Sequence, residues 1–156
     1  MAGLIIDVIA LIGDSLLGIL QLVPLDSNKV SSGAQSIVRI GIGLYDGVNI
    51  LGGDTPGITV WNEDGDRLGT TQASTQQVKD GSFVDIIVPQ NPPNQQPTYL
   101  KVEGGRNSIC MAYISHTWPD GTKRGWLGDI GNMCDKQYYY SNIYVTEANG
   151  TQYKVC

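Results

Sequence analysis

Hydrophobic and polar positions change rhythm once along this chain. From Met1 to Val23, sixteen of 23 residues are apolar, and the first basic residue is Lys29. This run predicts a helix of about six turns, roughly 33 Å long. Pro24 stops it, and Asp26-Ser27-Asn28 follows as a turn. The exceptions Gly3, Asp7, Ala10, Asp14, Gly18 and Gln21 are spaced 4, 3, 4, 4 and 3 residues apart, which on a helix aligns them as one narrow stripe. Ile5, Ile9, Ile12, Leu16 and Leu20 belong to the apolar surface around it.

After residue 30, short apolar runs are bounded by turn residues. The predicted strands are 37–44, 57–61, 83–88, 98–102, 108–118, 123–126, 138–145 and 152–155. Strict alternation marks the first, where Val38, Ile40, Ile42 and Leu44 are separated by Arg39, Gly41 and Gly43. The pairs Asp46-Gly47, Asp64-Gly65, Asp80-Gly81, Asp120-Gly121 and Asn149-Gly150 suit tight turns with positive φ. The predicted class is mainly β, an antiparallel β-sandwich of seven or eight strands preceded by one long apolar helix. Residues 1–24 form the helix, 25–36 a linker and 37–156 the sandwich domain. The polar stretch from Pro89 to Pro97 is a loop crossing one end of the sandwich.

A helix apolar around most of its circumference needs protein or lipid around it. A secretory signal would carry a basic start and an uncharged core, whereas Asp7 and Asp14 interrupt this one. A membrane span fits the length, but each central aspartate costs about 3 kcal/mol on insertion scales. Such a span would be an oligomer with both carboxylates facing inward. One domain of this size rarely surrounds such a helix, so burial between copies in an assembly is the leading expectation.

Composition narrows the function classes. Ten basic and fifteen acidic residues in 156, without a Lys/Arg cluster, speak against a nucleic-acid surface. The only histidine is His116, and Cys110, Cys134 and Cys156 lack the paired spacing of a zinc site. They are readable as buried hydrophobes, as one bridge plus a free thiol, or as three reduced thiols. The acidic loop Asn62-Glu63-Asp64-Gly65-Asp66 invites calcium, alone or with Asp54 or Asp129. It fails the EF-hand pattern, having Arg67 and Ala73 where Gly and Glu belong. No metal and no cofactor are expected. Asn149-Gly150-Thr151 is a glycosylation sequon, relevant only to a secreted chain.

Two hairpins carry a Trp ahead of an Asp-Gly turn: Trp61 with Asp64, and Trp118 with Asp120. With Trp126 they could form a sugar-binding face; the competing reading packs each Trp at the margin of the core, and it is the favoured one. The Tyr138-Tyr139-Tyr140 run is expected to divide between core and surface. Residues 9–18, IALIGDSLLG, resemble the nucleophile block of GDSL-type serine esterases, which would make Ser15 the nucleophile. That family's Asp three residues before the catalytic His is Tyr113 here, its oxyanion blocks are missing, and no strand-helix alternation follows. The string is coincidental, and no enzymatic activity is expected.

The stretch SICMAYISHTWPDGTKRGWLGDIGNMC followed by YYYSNIYV resembles a group of small fungal β-rich proteins of unassigned function. The shared positions are Cys110, Trp118 to Gly121, Trp126 with Asp129, Cys134, and Tyr139 to Asn142. The resemblance covers about a third of the chain. It implies a disulfide between Cys110 and Cys134, with Cys156 free or linking subunits, and favours an extracellular or cell-surface setting over the cytoplasm. The function expected is a non-enzymatic structural protein whose principal partner is itself. The alternatives are a membrane-active, pore-forming protein and a secreted carbohydrate-binding module with a cleaved N-terminus.

Overall fold

A computed structural model describes residues 34–44, 50–128, 134–135, 138, 140–141, 144–146 and 152–154. The expected N-terminal helix lies outside the described residues. Those described form a mainly β protein with antiparallel sheets and no helix.

The strands are β1 (Gln35–Ile42), β2 (Gly53–Thr55), β3 (Gly57–Trp61), β4 (Arg67–Thr71), β5 (Ser74–Val78), β6 (Phe83–Pro89), β7 (Tyr99–Glu103), β8 (Met111–Thr117), β9 (Lys123–Leu127), β10 (Tyr144–Thr146) and β11 (Gln152–Lys154). They order as a four-stranded sheet β6-β1-β8-β9, a three-stranded sheet β4-β3-β7, and the pairs β2-β5 and β10-β11. The sequence pattern anticipates β1, β3, β6, β7, β8, β9 and β11 within a few residues. It misses β2, β4 and β5; of the strand expected over 138–145, residues 138, 140 and 141 lie outside any strand and 144–145 belong to β10. Asp-Gly turn chemistry holds where it is described: Gly65, Gly81 and Gly121 have φ of 87°, 64° and 85°.

β1 owes its central place to alternation. Val38, Ile40 and Ile42 point to one face and enter a core completed by Ile58 and Val60 of β3, Leu68 of β4, Val78 of β5, Ile86 and Val88 of β6, and Leu51. The four- and three-stranded sheets thus share one hydrophobic core. Burying a side chain of this size contributes about 1.5–3 kcal/mol. Where β4 approaches β6 the gap admits no side chain: a Cβ on Gly69 would collide with the Pro89 carbonyl oxygen.

The other face of β1 carries Ile37, Arg39 and Gly41. The ring of Tyr113, the cross-strand partner of Gly41, lies in the space a Cβ there would need. Arg39, 5% exposed, pairs across the ladder with Asp85. Nε and Nη2 donate to the two carboxylate oxygens at 2.6 and 2.7 Å, and the guanidinium sits 4.0 Å over the Phe83 ring. A fork-to-fork pair with an aromatic lid satisfies a charge that burial would otherwise penalise.

Removing one partner should therefore cost more than removing both. Asp85→Ala is expected to lower unfolding free energy by about 3 kcal/mol, leaving Arg39 buried and unpaired, while Arg39→Met/Asp85→Leu recovers most of the loss. Urea unfolding of the three proteins checks this; a double variant as unstable as the single one contradicts it.

Candidate functional site

Loop 90–98 brings the two tryptophan hairpins to one end of the sheets. β1 begins, and β6 and β8 finish, at this end, where Gln35 pairs with Pro89 and Ile37 with Thr117. The loop leaves β6 with Gln90 N–H donating to Ala34 O at 2.8 Å. It then crosses to the three-stranded sheet, where Asn91 N–H donates to Leu68 O at 2.7 Å. Asn62 Nδ2 donates to Gln95 Oε1 at 3.0 Å and ties the loop to the β3–β4 turn.

Asn62 organises that turn. Asn62 Oδ1 accepts from Asp66 N–H at 2.8 Å, and the Asn62 backbone both donates to Asp66 O and accepts from Gly65 N–H. Glu63, Asp64 and Asp66 are exposed around it. Among the described residues no three His, Cys, Asp or Glu side chains converge as a metal site. Asp54 is buried on β2, remote in register from that turn, and its carboxylate is fully engaged. It accepts from Arg106 N–H at 3.1 Å, from Asn107 Nδ2 at 3.3 Å and from the Gln77 amide. These bonds hold the 104–108 loop beside a groove of about 400 Å³ floored by Pro56, Val102, Ile109 and Met111. Asp129 lies outside the described residues.

The second turn packs its tryptophan inward. Trp118 N–H donates to Thr122 O, Gly121 N–H donates to Trp118 O, and Asp120 Oδ1 accepts from Thr122 N–H. Trp118 is 7% exposed, meets His116 edge-to-face at 6.5 Å, and carries the Arg124 guanidinium 5.0 Å over its ring. This is the packing arrangement weighed against a sugar platform. Trp61, at the end of β3, and Trp126, on β9, are half-buried in different sheets, while Asp64 and Asp120 are exposed at the turn tips. Trp61, Asp64, Trp118 and Asp120 thus lie toward the same end of the two sheets, and the burial of Trp118 leaves its ring without a free face for a ligand.

The remaining candidates divide similarly. Tyr138 is half-buried and Tyr140 exposed, their rings T-shaped at 5.8 Å, and Tyr139 lies outside the described residues. Cys110 and Cys134 are free thiols in this structure, which gives the bridge implied by the fungal resemblance no support. Cys110 packs half-buried against the core at the entry to β8, whereas Cys134 is exposed in a turn. Cys156, Ser15 and the helix positions Ile5, Asp7, Ile9, Ile12, Asp14, Leu16, Gly18 and Leu20 lie outside the described residues. Tyr113 and His116 project from opposite faces of β8, since Tyr113 faces Gly41 and His116 faces Val38. Burial pushes the Tyr113 hydroxyl up, against a smaller lowering by Arg39 and a further rise from Asp85.

Burial pushes the His116 imidazole down to about 4. The unfolded chain takes up a proton near the ordinary value of about 6.5, and the folded chain does so only near 4. The stabilising contribution is therefore complete above about pH 6.5 and disappears as pH falls toward 4, an expected loss of about 3 kcal/mol. The fall in unfolding free energy from pH 7 to pH 4.5 should be smaller for His116→Phe than for the parent. An identical slope in the two proteins would locate the acid sensitivity elsewhere.

No family model, no curated protein and no solved structure matches this chain.

Proposed function

We propose that this is a non-enzymatic structural protein that assembles with copies of itself through its apolar N-terminal helix and displays a β-sandwich outward. The feature carrying this reading is the apolar run at the start of the sequence. Among the described residues, the core around Val38, Ile58 and Val88 is built from side chains between residues 38 and 114. Sixteen further apolar residues stand within the first 23. If about fourteen large side chains of that segment become buried between copies, at roughly 1.5–3 kcal/mol each, the gross gain is about 20–40 kcal/mol before ordering and association costs.

The sheet margins support the same division of labour. The outer strands carry charges or Pro: Asp85 and Pro89 on β6, Lys123 and Arg124 on β9, Arg67 on β4, and Lys101 with Glu103 on β7. Charged outer strands resist edge-to-edge pairing, which directs association toward the N-terminal segment. The sugar-binding alternative is weakened by the burial of Trp118. No helix among the described residues is long and apolar enough to cross a membrane.

Leu16→Asp and Ile9→Asp are expected to abolish the large form in analytical ultracentrifugation while leaving near-ultraviolet circular dichroism of the β body intact. A variant that sediments like the parent contradicts assembly through the helix. Release of dye from liposomes by the parent protein would instead favour the membrane-active reading.

A further inference from the structure

Three buried side chains at one end of the core finish without a hydrogen-bond partner. Ser36 Oγ, both amide atoms of Gln90, and His116 Nε2 are closed off from solvent and unpaired. The residues are 0%, 6% and 5% exposed.

The strand register brings them together. Ser36 faces Val88 across the β1–β6 ladder, and Gln90 stands two residues further on, with its N–H on Ala34 O. His116 faces Val38 across the β1–β8 ladder, and Val38 is the residue after Ser36 on the same face of β1. Directly opposed residues of an antiparallel pair project to the same side, with opposite and diagonal neighbours about 4.5–8 Å apart. All three side chains therefore lie on the face that carries Val38, Ile40 and Val88, at the end closed by loop 90–98. Ser36, on the central strand, is the diagonal neighbour of both Gln90 and His116, which flank it on opposite sides, so a water whose two hydrogen bonds cover about 5.5 Å is placed to link Ser36 to either.

Four unpaired buried atoms would cost about 1–3 kcal/mol each. That sum rivals the whole stability of an ordinary domain, about 5–15 kcal/mol. Buried polar groups are paired with protein or with internal water, and a buried water typically makes about three hydrogen bonds. The chemistry of the set selects a neutral ligand. A hydroxyl, a carboxamide and an uncharged imidazole supply donors and acceptors but no countercharge for an ion. Arg124, the cross-strand partner of His116, further disfavours a cation. We infer that this end of the core is an internal water-binding site in which at least one long-lived water bridges Ser36, Gln90 and His116.

Oxygen-17 and deuteron relaxation dispersion on the full chain at pH 7 counts waters that remain bound longer than the protein tumbles. The parent should show such water, with the dispersion amplitude falling in Ser36→Ala and again in Ser36→Ala/Gln90→Leu. Ser36→Ala removes a single oxygen and keeps the test available should the double variant fail to fold. A crystal structure of the parent should place a water within hydrogen-bond distance of at least two of the three residues. Equal amplitudes in parent and Ser36→Ala, or direct pairing of Gln90 with His116 and Ser36 in the crystal, would overturn the proposal.

Discussion

Burying both faces of β1 forces an arginine out of water in the middle of the four-stranded sheet, and the neighbouring strands are arranged around that demand. Arg39 is flanked on β1 by Ile40, which belongs to the shared core, so moving the strand to release the charge would expose the core face. The charge is met in place. β6 supplies Asp85 at the matching register position and Phe83 two residues away, in line with Gly41. Gly41 in turn leaves the space that the Tyr113 ring fills. A one-residue slip of β6 would carry Asp85 and Phe83 to the core face and Val84 to the charge. Register and electrostatics thus select the same pairing, and this locks β6 and β8 to β1.

The two sheets are coupled mainly where β6 leaves the first of them and enters loop 90–98. Gly69 lets β4 lie against the Pro89 carbonyl, Thr71 Oγ1 donates to Ile87 O, and Asn91 N–H donates to Leu68 O. Polar main-chain groups of a crossing loop need partners, and here Leu68 O of β4 and Ala34 O accept from Asn91 and Gln90, while Asn62 holds the loop by the Gln95 side chain. The same end holds the neutral imidazole of His116 beneath the Trp118 ring, with Arg124 on that ring's other contact. Aromatic surface that sequence chemistry offers to a sugar is here packed against His116 and Arg124.

Much of this was legible in the sequence where physics is local. Alternation over Val38 to Ile42 gives β1, and Asp-Gly pairs give the turns at Gly65, Gly81 and Gly121. What escaped depends on partners distant along the chain. β4 and β5, with sequences RLGTT and STQQV, have too few apolar positions to show a period. They exist as strands because β3 and β2 offer them ladders. The Arg39–Asp85 pair joins residues 46 apart, and Asp54 reaches Arg106 and Asn107 across more than fifty. No local signal distinguishes either aspartate from the exposed Asp64 or Asp120. Trp118 was ambiguous for the same reason: its turn is readable, but its burial depends on His116 and Arg124 being its neighbours in space.

The proposed assembly gains its logic from this contrast between satisfied and unsatisfied surface. Among the described residues of the β body the outer strands carry charge, and the apolar alternation of β1 is consumed by one shared core. The large apolar side chains exposed there are isolated ones such as Ile50, Phe83 and Tyr99. The first 23 residues have the opposite balance, with a stripe of Gly3, Asp7, Asp14 and Gly18 too narrow to solvate the rest. On a helix, small residues in that stripe permit close backbone approach, and two aspartates require company that is polar or wet. Several copies meeting along the stripe would satisfy both conditions. A single helix against a lone β body would leave one side of its circumference, or both carboxylates, without suitable surroundings.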